Sequence, residues 1–126
     1  MIRRFDIPPV AASRPRVGKW GAYYSGPYKD FREQAKEKIQ DILGSEFKPL
    51  LGPLAVVIEV YVTRPKTTKL DYPKPDIDNY TKAVLDVLNG IMWEDDSQII
   101  SVYATKQWAE ENEEGYFTIE VNNDKL

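Results

Sequence analysis

Five aspartates lie close together in the sequence, and their side chains could bind a metal: Asp76, Asp78, Asp86, Asp95 and Asp96. Carboxylates repel one another, and folded proteins seldom gather them unless a cation neutralises their charge. Mg²⁺ and Mn²⁺ take oxygen ligands, so three or more converging aspartates would form a site for one of these hard cations. The alternative is that these side chains are solvated surface groups.

The composition restricts the chemistry that the chain can perform. Its 126 residues include no histidine and no cysteine. Disulfides, zinc–thiolate sites and cysteine nucleophiles are therefore excluded, together with the commonest general base and the commonest transition-metal ligand. Any catalysis must depend on carboxylates, lysines, hydroxyls or a hard cation.

The first pair of aspartates stands at the predicted start of a helix. In an extended chain, residues two apart point to the same side, so Asp76 and Asp78 would project together. Aspartate is also favoured at helix N-termini, where it caps free N–H groups and meets the positive end of the helix dipole. One aspartate there needs no further explanation. Two of them, with Pro75 before and Asn79 after, exceed what capping requires.

Asp78, Lys82 and Asp86 follow at four-residue spacing, so they share one face of the predicted helix. This face fits an exposed ladder of salt bridges, each worth about 0.3–0.5 kcal/mol. It also fits a lysine placed beside metal-binding acids, where it would offset their repulsion or stabilise charge on a phosphate. Taken alone, the helix favours the ladder.

Asp95 and Asp96 lie in a turn that follows this helix and precedes a strand. Aspartate is a common turn residue, but return of the chain after a short helix can bring such a turn beside the residues before the helix. An EF-hand loop starting at Asp76 is excluded, because its sixth and twelfth positions require Gly and Glu and hold Thr81 and Val87.

Hydrophobic periodicity predicts the elements that position these residues. They are strands over residues 3–7, 53–65, 98–108 and 115–122, helices over 27–43 and 78–89, and a long basic and aromatic loop over 8–26. Residues 110–114 (EENEE) are expected to be a solvated hairpin tip between the last two strands. The order predicts an α+β fold, a single domain over residues 1–126 with a mixed sheet of about four strands and two helices packed on it.

Both helices carry capping and packing signals. Ser25 and Pro27 suit the start of the first helix, and Gly44 suits its end. The expected apolar stripe of the first helix is Phe31, Ala35, Ile39 and Ile42, and that of the second is Tyr80, Val84, Val87, Leu88 and Ile91.

Charge is distributed unevenly along the chain. Residues 1–85 carry 15 Lys and Arg against 10 Asp and Glu, whereas residues 86–126 carry 2 against 10. The asymmetry fits nucleic-acid binding by the first part of the chain. It equally fits chance together with the acidic segment at residues 110–114. No apolar run approaches the roughly 18 residues of a membrane helix, and the first ten residues lack the apolar core of a secretory signal. A cytoplasmic protein is expected.

Residues 74–106 read KPDIDNYTKAVLDVLNGIMWEDDSQIISVYATK and resemble the signature of the RusA family of Holliday junction resolvases. The family pattern is D-x-D-N-x-x-K, an aspartate four residues after that lysine, a D-D-x-Q turn, and a strand ending in lysine. The matching positions are Asp76, Asp78, Asn79, Lys82, Asp86, Asp95, Asp96, Gln98 and Lys106. The remainder agrees in outline, with a proline-rich basic N-terminal loop, a helix and a long strand before the motif.

The resemblance implies a RusA-like fold and a bacterial or phage-encoded homodimeric endonuclease of DNA recombination and repair. Such an enzyme needs Mg²⁺ or Mn²⁺, takes no organic cofactor, and resolves four-way DNA junctions by paired symmetric cuts. Carried over by position, Asp76, Asp78 and Asp96 bind the metal, with Asp95 beside them, and Lys82 completes the catalytic set. Asp86 and Asn79 would support these ligands without binding the metal themselves.

An acidic pocket repels DNA, so phosphate contacts must come from other residues. The candidates are Arg14, Arg16, Lys19, Lys29, Arg32, Lys66, Lys69 and Lys74. Trp20, Tyr23 and Tyr24 could stack on unpaired bases, or could equally pack in the core or in a dimer interface.

Three other functions stay open on the sequence. One is a nuclease of broader range that cuts flaps or other branched DNA. Another is a junction-binding module without catalysis, which the complete set of acids argues against. The third is a cation-stabilised interaction protein, for which the acidic C-terminal part is the only support.

Overall fold

A computed structural model describes residues 1–23 and 26–123 of the chain. The elements follow in the order β1 (Ile2–Phe5), β2 (Arg16–Gly18), β3 (Gly21–Tyr23), α1 (Pro27–Leu43), β4 (Leu54–Val62), α2 (Ile77–Leu88), β5 (Ile99–Trp108) and β6 (Tyr116–Asn122). A short 3₁₀ helix, Asp96–Gln98, directly precedes β5. In these ranges, no helix has the length and apolarity needed to cross a membrane.

Four strands form one mixed sheet in the order β1-β6-β4-β5. Strand β4 pairs with β5 in parallel and with β6 antiparallel, and β6 pairs antiparallel with β1. The buried side chains of both helices and of β1, β4 and β6 belong to a single hydrophobic cluster. The predicted α+β fold, with a mixed four-stranded sheet and two helices, is confirmed.

Alternation in β4 and the helical stripes explain how this cluster forms. The β4 side chains at positions 54, 56, 58 and 60 are buried, and those between them are only partly covered. Helix α1 buries Phe31, Ala35 and Ile39, as its spacing predicts, and α2 buries Tyr80, Val84, Val87 and Leu88. The prediction for Ile42 is wrong, because this side chain is 51% exposed beyond the last buried turn of α1.

The acidic segment at residues 110–114 is exposed, as expected, but it is not a hairpin tip between paired strands. Strands β5 and β6 lie on opposite sides of β4, so the connection passes the end of β4 instead of folding β6 back onto β5. The prediction of a β5–β6 hairpin is therefore wrong. One consequence is that the outer edge of β5 has no strand paired to it within the described chain.

The basic segment before α1 is more regular than predicted. Strands β2 and β3 form a separate antiparallel hairpin with Lys19 and Trp20 in its turn. The Trp20 side chain is 93% exposed, so it packs in no core formed by the described residues. The expected cap Ser25 and the aromatic residue Tyr24 lie outside the described residues, as do the side chains of Arg16 and Tyr23. Gly26, with φ 71°, occupies the N-cap position of α1.

Candidate active site

Helix α2 begins one residue after Asp76, which occupies the N-cap position with an extended backbone. The Asp76 carbonyl oxygen accepts hydrogen bonds from the N–H groups of Asn79 and Tyr80, at 3.1 and 3.3 Å. Its carboxylate makes no capping hydrogen bond and is exposed, so capping does not account for this side chain. Asp78 lies inside the first helical turn, where extended-chain alternation does not apply. The extended backbone from which a shared direction of the two carboxylates was expected is therefore absent at Asp78.

Strand β5 anchors the segment that leads into α2. The Lys106 ammonium donates to the carbonyl oxygens of Pro73 and Pro75, at 2.8 and 2.7 Å. The indole N–H of Trp108, two residues further along β5, donates to the Leu70 carbonyl oxygen at 3.0 Å. Lys106, the last position of the motif, therefore holds the start of α2 against the edge strand.

One helical turn further on, Lys82 and Asp86 form an ion pair with an Nζ–Oδ2 distance of 2.9 Å. The two side chains differ in exposure, at 49% for Lys82 and 17% for Asp86. The same Asp86 oxygen also accepts a hydrogen bond from the Tyr28 hydroxyl of α1. Asp86 thus contacts a residue of the protein interior as well as Lys82. It is therefore not simply a member of an exposed ladder of salt bridges.

The turn after α2 carries the other two aspartates. The Asp95 carboxylate caps the 3₁₀ helix by accepting the Ser97 N–H at 2.9 Å. The Asp96 carboxylate accepts the indole N–H of Trp93 at 2.7 Å, and Trp93 is fully buried. The two neighbours therefore have different roles: Asp95 shapes the turn, and Asp96 is fixed in orientation by a group in the core.

Gln98 ties this turn to the chain before β4 with both ends of its amide. Its side-chain NH₂ group donates to the carbonyl oxygens of Leu50 and Gly52, at 3.0 and 2.9 Å. Its amide oxygen accepts the N–H groups of Glu94 and Asp95, at 2.9 and 3.0 Å. Gln98, the Gln of the D-D-x-Q pattern, therefore acts as a clasp: it joins the acidic turn (residues 94–98) to the chain before β4 and holds the turn in place.

A cavity of about 590 Å³ lies between α2, the acidic turn and β5. Its polar lining gathers Asp78, Lys82, Asp86 and Asp96, and its apolar lining includes Leu85, Val102 and Ala104. Asp76 and Asp95 are not among the lining residues. Among the residues that the structure describes, no three acidic side chains form a ready-made metal cluster. The carboxylate-only donor set fits a hard cation in its chemistry, since Mg²⁺ and Mn²⁺ prefer oxygen ligands.

The pKa values of the two aspartates of the turn are shifted in opposite directions, by different causes. Burial raises the pKa of Asp96, and the nearby Asp86 and Asp95 carboxylates raise it further, against the Trp93 hydrogen bond and the Lys82 charge. The hydrogen bonds from Ser97 lower the pKa of Asp95. Asp96 is thus a carboxylate whose charge the protein alone leaves incompletely compensated, a property typical of functional acids.

The predicted phosphate-binding residues lie on several exposed segments. Arg14, Lys19, Lys66, Lys69 and Lys74 are exposed, and the Lys19 ammonium lies 5.6 Å from the centre of the Trp20 ring. Lys29 is exposed but is 3.9 Å from Glu33, and Arg32 is half-buried, with its guanidinium 5.8 Å from the Tyr28 ring centre. The exposed members of this set are accessible to DNA phosphates.

No sequence pattern pointed to Trp93 or Tyr28, although each holds a cavity aspartate. The sequence gives only a weak indication of these contacts. A Trp N–H or Tyr O–H that becomes buried usually finds a hydrogen-bond partner, but this rule does not say which residue the partner is. Gln98 and Lys106 belong to the matched motif, but their roles as clasp and anchor depend on contacts that only the folded chain provides.

A cavity lined by carboxylates, with a lysine beside it, thus lies at the edge of the small mixed sheet. The sequence profile described as "Endodeoxyribonuclease RusA" matches residues 6–121. The chain therefore belongs to the RusA endodeoxyribonuclease family, and this membership indicates an endonuclease of the Holliday junction type. It is also similar to a protein of Bacillus subtilis (strain 168), described as uncharacterized protein YqaN. The two are 31% identical over 82% of this chain and 84% of the relative.

Proposed function

We propose that this chain resolves Holliday junctions by Mg²⁺- or Mn²⁺-dependent hydrolysis of one phosphodiester in each of two opposed strands, in DNA recombination and repair. One observation supports this most strongly: a single cavity is lined by Asp78, Asp86 and Asp96 together with Lys82. Membership of an endodeoxyribonuclease family gives this cavity its substrate class.

In this proposal Asp76, Asp78 and Asp96 bind the metal, with Asp95 beside them, and Asn79 and Asp86 support the ligands. A bound divalent cation would activate water and neutralise charge on the scissile phosphate. Lys82 would stabilise negative charge on that phosphate or on the leaving oxygen, because this residue lines the same cavity as the aspartates. The hydrogen bond from Trp93 keeps the Asp96 carboxylate in one orientation, so less reorganisation is needed when substrate binds.

DNA contacts in this proposal come from outside the acidic cavity. Arg14, Arg16, Lys19, Lys29, Arg32, Lys66, Lys69 and Lys74 are assigned to phosphates. Trp20 at the tip of the β2–β3 hairpin is assigned to stacking on an unpaired base at the crossover, because its ring is almost entirely exposed. Tyr23 and Tyr24 are assigned to the same surface by their position in the sequence.

Two opposed cuts require two active sites, which a two-fold homodimer supplies. We assign its interface to the outer edge of β5, near the start of the strand. Ile100, Val102 and Tyr103 are 58, 43 and 66% exposed there, and Val102 also lines the candidate active-site cavity. A strand edge with unpaired backbone groups and exposed apolar side chains is suited to pairing with another strand. Antiparallel pairing with its own copy would be self-complementary, as a two-fold contact demands.

Cleavage of defined DNA substrates tests the proposal. The purified chain is incubated with a synthetic mobile four-way junction, a matched flap and a linear duplex, each with Mg²⁺ or with EDTA. Symmetric, metal-dependent nicking of the junction alone supports the resolvase. Cutting of the flap as well selects a broader branched-DNA nuclease, and binding without cutting selects a junction-binding module. If the chain binds none of the three substrates, the remaining hypothesis is the cation-stabilised interaction protein.

Asp78→Asn provides the matched test of the site. The variant is expected to abolish junction cleavage and to leave junction affinity, measured in Ca²⁺ or EDTA, largely unchanged. Asp41→Asn, an exposed aspartate on α1 away from the cavity, is expected to cut like the wild type. Normal Mg²⁺-dependent cleavage by Asp78→Asn would show that the site assignment is wrong.

A further inference from the structure

Tyr28, in the first turn of α1, reaches the candidate active site from the interior. It is 2% exposed, and its ring lies against Phe31 with 6.4 Å between ring centres. Its hydroxyl donates a hydrogen bond to Asp86 Oδ2 on α2. Tyr28 does not line the active-site cavity, whereas Asp86 does. The Tyr28 hydroxyl therefore contacts a cavity-lining residue from the side of the protein interior.

The oxygen that accepts the Tyr28 hydroxyl is the one that binds Lys82. Lys82 Nζ donates to Asp86 Oδ2 at 2.9 Å, so a continuous chain of hydrogen bonds runs from Tyr28 through Asp86 to the Lys82 ammonium. Exposure rises along this chain, with Tyr28 in the core, Asp86 at 17% and Lys82 at 49%. A side chain fixed in the core is thus linked to a half-exposed, charged one at the cavity.

An ordinary ion pair of this spacing would not hold a lysine firmly. Lysine has a flexible four-carbon stem and a strongly hydrated ammonium, and exposed i,i+4 pairs contribute little because ordering both side chains costs entropy. A buried donor on the carboxylate changes this, since one partner is already confined to a single orientation. Precise placement of a catalytic group depends on such supporting contacts.

We propose that Tyr28 is a positioning residue: through Asp86 it holds the Lys82 ammonium at the place where the scissile phosphate is to bind. The inference depends on the proposed function for its catalytic consequence, but the Tyr28–Asp86–Lys82 link itself does not. It also gives α1 a part in the site, although none of its residues lines the cavity.

Tyr28→Phe is the direct test, because it removes the hydroxyl and keeps the buried ring. The single-turnover rate of junction cleavage is expected to fall about tenfold, as for other contacts that orient active-site groups. Junction affinity, measured with EDTA, should stay within twofold of the wild type. Tyr80→Phe is the matched control, since Tyr80 is 3% exposed, lies on α2 and does not line the cavity. Its rate should equal that of the wild type.

Two further measurements separate positioning from a general effect on the fold. In an Asp86→Ala background, Tyr28→Phe should lower the rate no further, because the carboxylate that joins Tyr28 to Lys82 is already absent. In ¹⁵N-lysine-labelled protein without DNA or metal, the Lys82 ammonium resonance, assigned by its loss in Lys82→Arg, should be observable in the wild type. It should broaden or shift in Tyr28→Phe and not in Tyr80→Phe.

A Tyr28→Phe variant that cuts at the wild-type rate, or an additive loss in the double variant, would overturn the inference. A wild-type chain that cuts no DNA would instead refute the proposed function. In that case an unchanged Lys82 resonance in Tyr28→Phe would still overturn the positioning link, and a changed one would support it.

Discussion

Replacement of Gln98 by alanine should destabilise the protein more than any other single loss of a polar side chain from the site region. The Gln98 amide makes four hydrogen bonds, two donated to Leu50 and Gly52 and two accepted from Glu94 and Asp95. A net contribution of about 1 kcal/mol for each bond, reduced because the side chain is partly exposed, gives a loss of about 2–3 kcal/mol.

Gln107→Ala is the matched control for this prediction. Gln107 is also a partly exposed glutamine, but its amide makes one hydrogen bond, to the Val60 carbonyl oxygen at 2.7 Å. Its loss should cost about 1 kcal/mol. Urea unfolding at pH 7, followed by tryptophan fluorescence and circular dichroism, measures both variants, and the dependence on urea should be unchanged in each.

The outcome that would refute this reasoning is a Gln98→Ala variant no less stable than Gln107→Ala. In that case the acidic turn would be held by other contacts, such as the buried Trp93, and Gln98 would not be the clasp. Gln98→Glu provides a finer test, because it keeps an acceptor for the turn but places a carboxylate oxygen against the Leu50 and Gly52 carbonyl oxygens. At pH 7 it should be no more stable than Gln98→Ala.

Three further predictions concern the partly buried Asp96, the close packing at Gly115 and the edge of β5. Without divalent cations, Asp96→Asn should melt at a higher temperature than the wild type at pH 7, and the difference should vanish towards pH 3. Burial raises the pKa of Asp96, so the protonated carboxyl contributes stability that is present at low pH and is lost as the pH rises through the raised pKa. Gly115→Ala should lose about 2 kcal/mol in urea unfolding, because a Cβ there would lie 2.6 Å from the Tyr61 carbonyl oxygen; an unchanged midpoint would contradict this. Tyr103→Lys should convert a dimer to a monomer in size-exclusion chromatography with light scattering, whereas Ile42→Lys should not; a dimeric Tyr103→Lys would move the interface elsewhere.

Local patterns in the sequence predicted most of the secondary structure. Pro27 and Gly44 bracket α1, because proline suits a first helical turn and a glycine can end a helix with positive φ, here 86°. The β2–β3 hairpin was missed because each strand has only three residues. The pairing of β5 and β6 was mispredicted because a link past the end of β4 can have the same length and composition as a hairpin turn.

The candidate site was predictable in its residue types and less so in its supports. Asp78, Lys82 and Asp86 share one helical face, and periodicity alone placed them together. The approach of Asp96 to the same cavity depends on Trp93 in the core and on Gln98 reaching the chain before β4. Trp93 is only three residues from Asp96, but its place in the core and the Gln98 contacts, 46 and 48 positions along the chain, follow from the tertiary fold, which no local pattern encodes.

The pairing of the first strand with the last also determines when the sheet can be completed during synthesis. The Met1 amino group donates to the Val121 carbonyl oxygen across 120 positions, and β6 lies between β1 and β4. Until β6 leaves the ribosome, β1 has no partner and one edge of β4 is unpaired. Helices α1 and α2 can form from local contacts, but the sheet must wait for the longest loop closure in the chain, which slows folding. A nascent chain stalled before β6 would present the apolar strand β4 for aggregation or for binding by a chaperone.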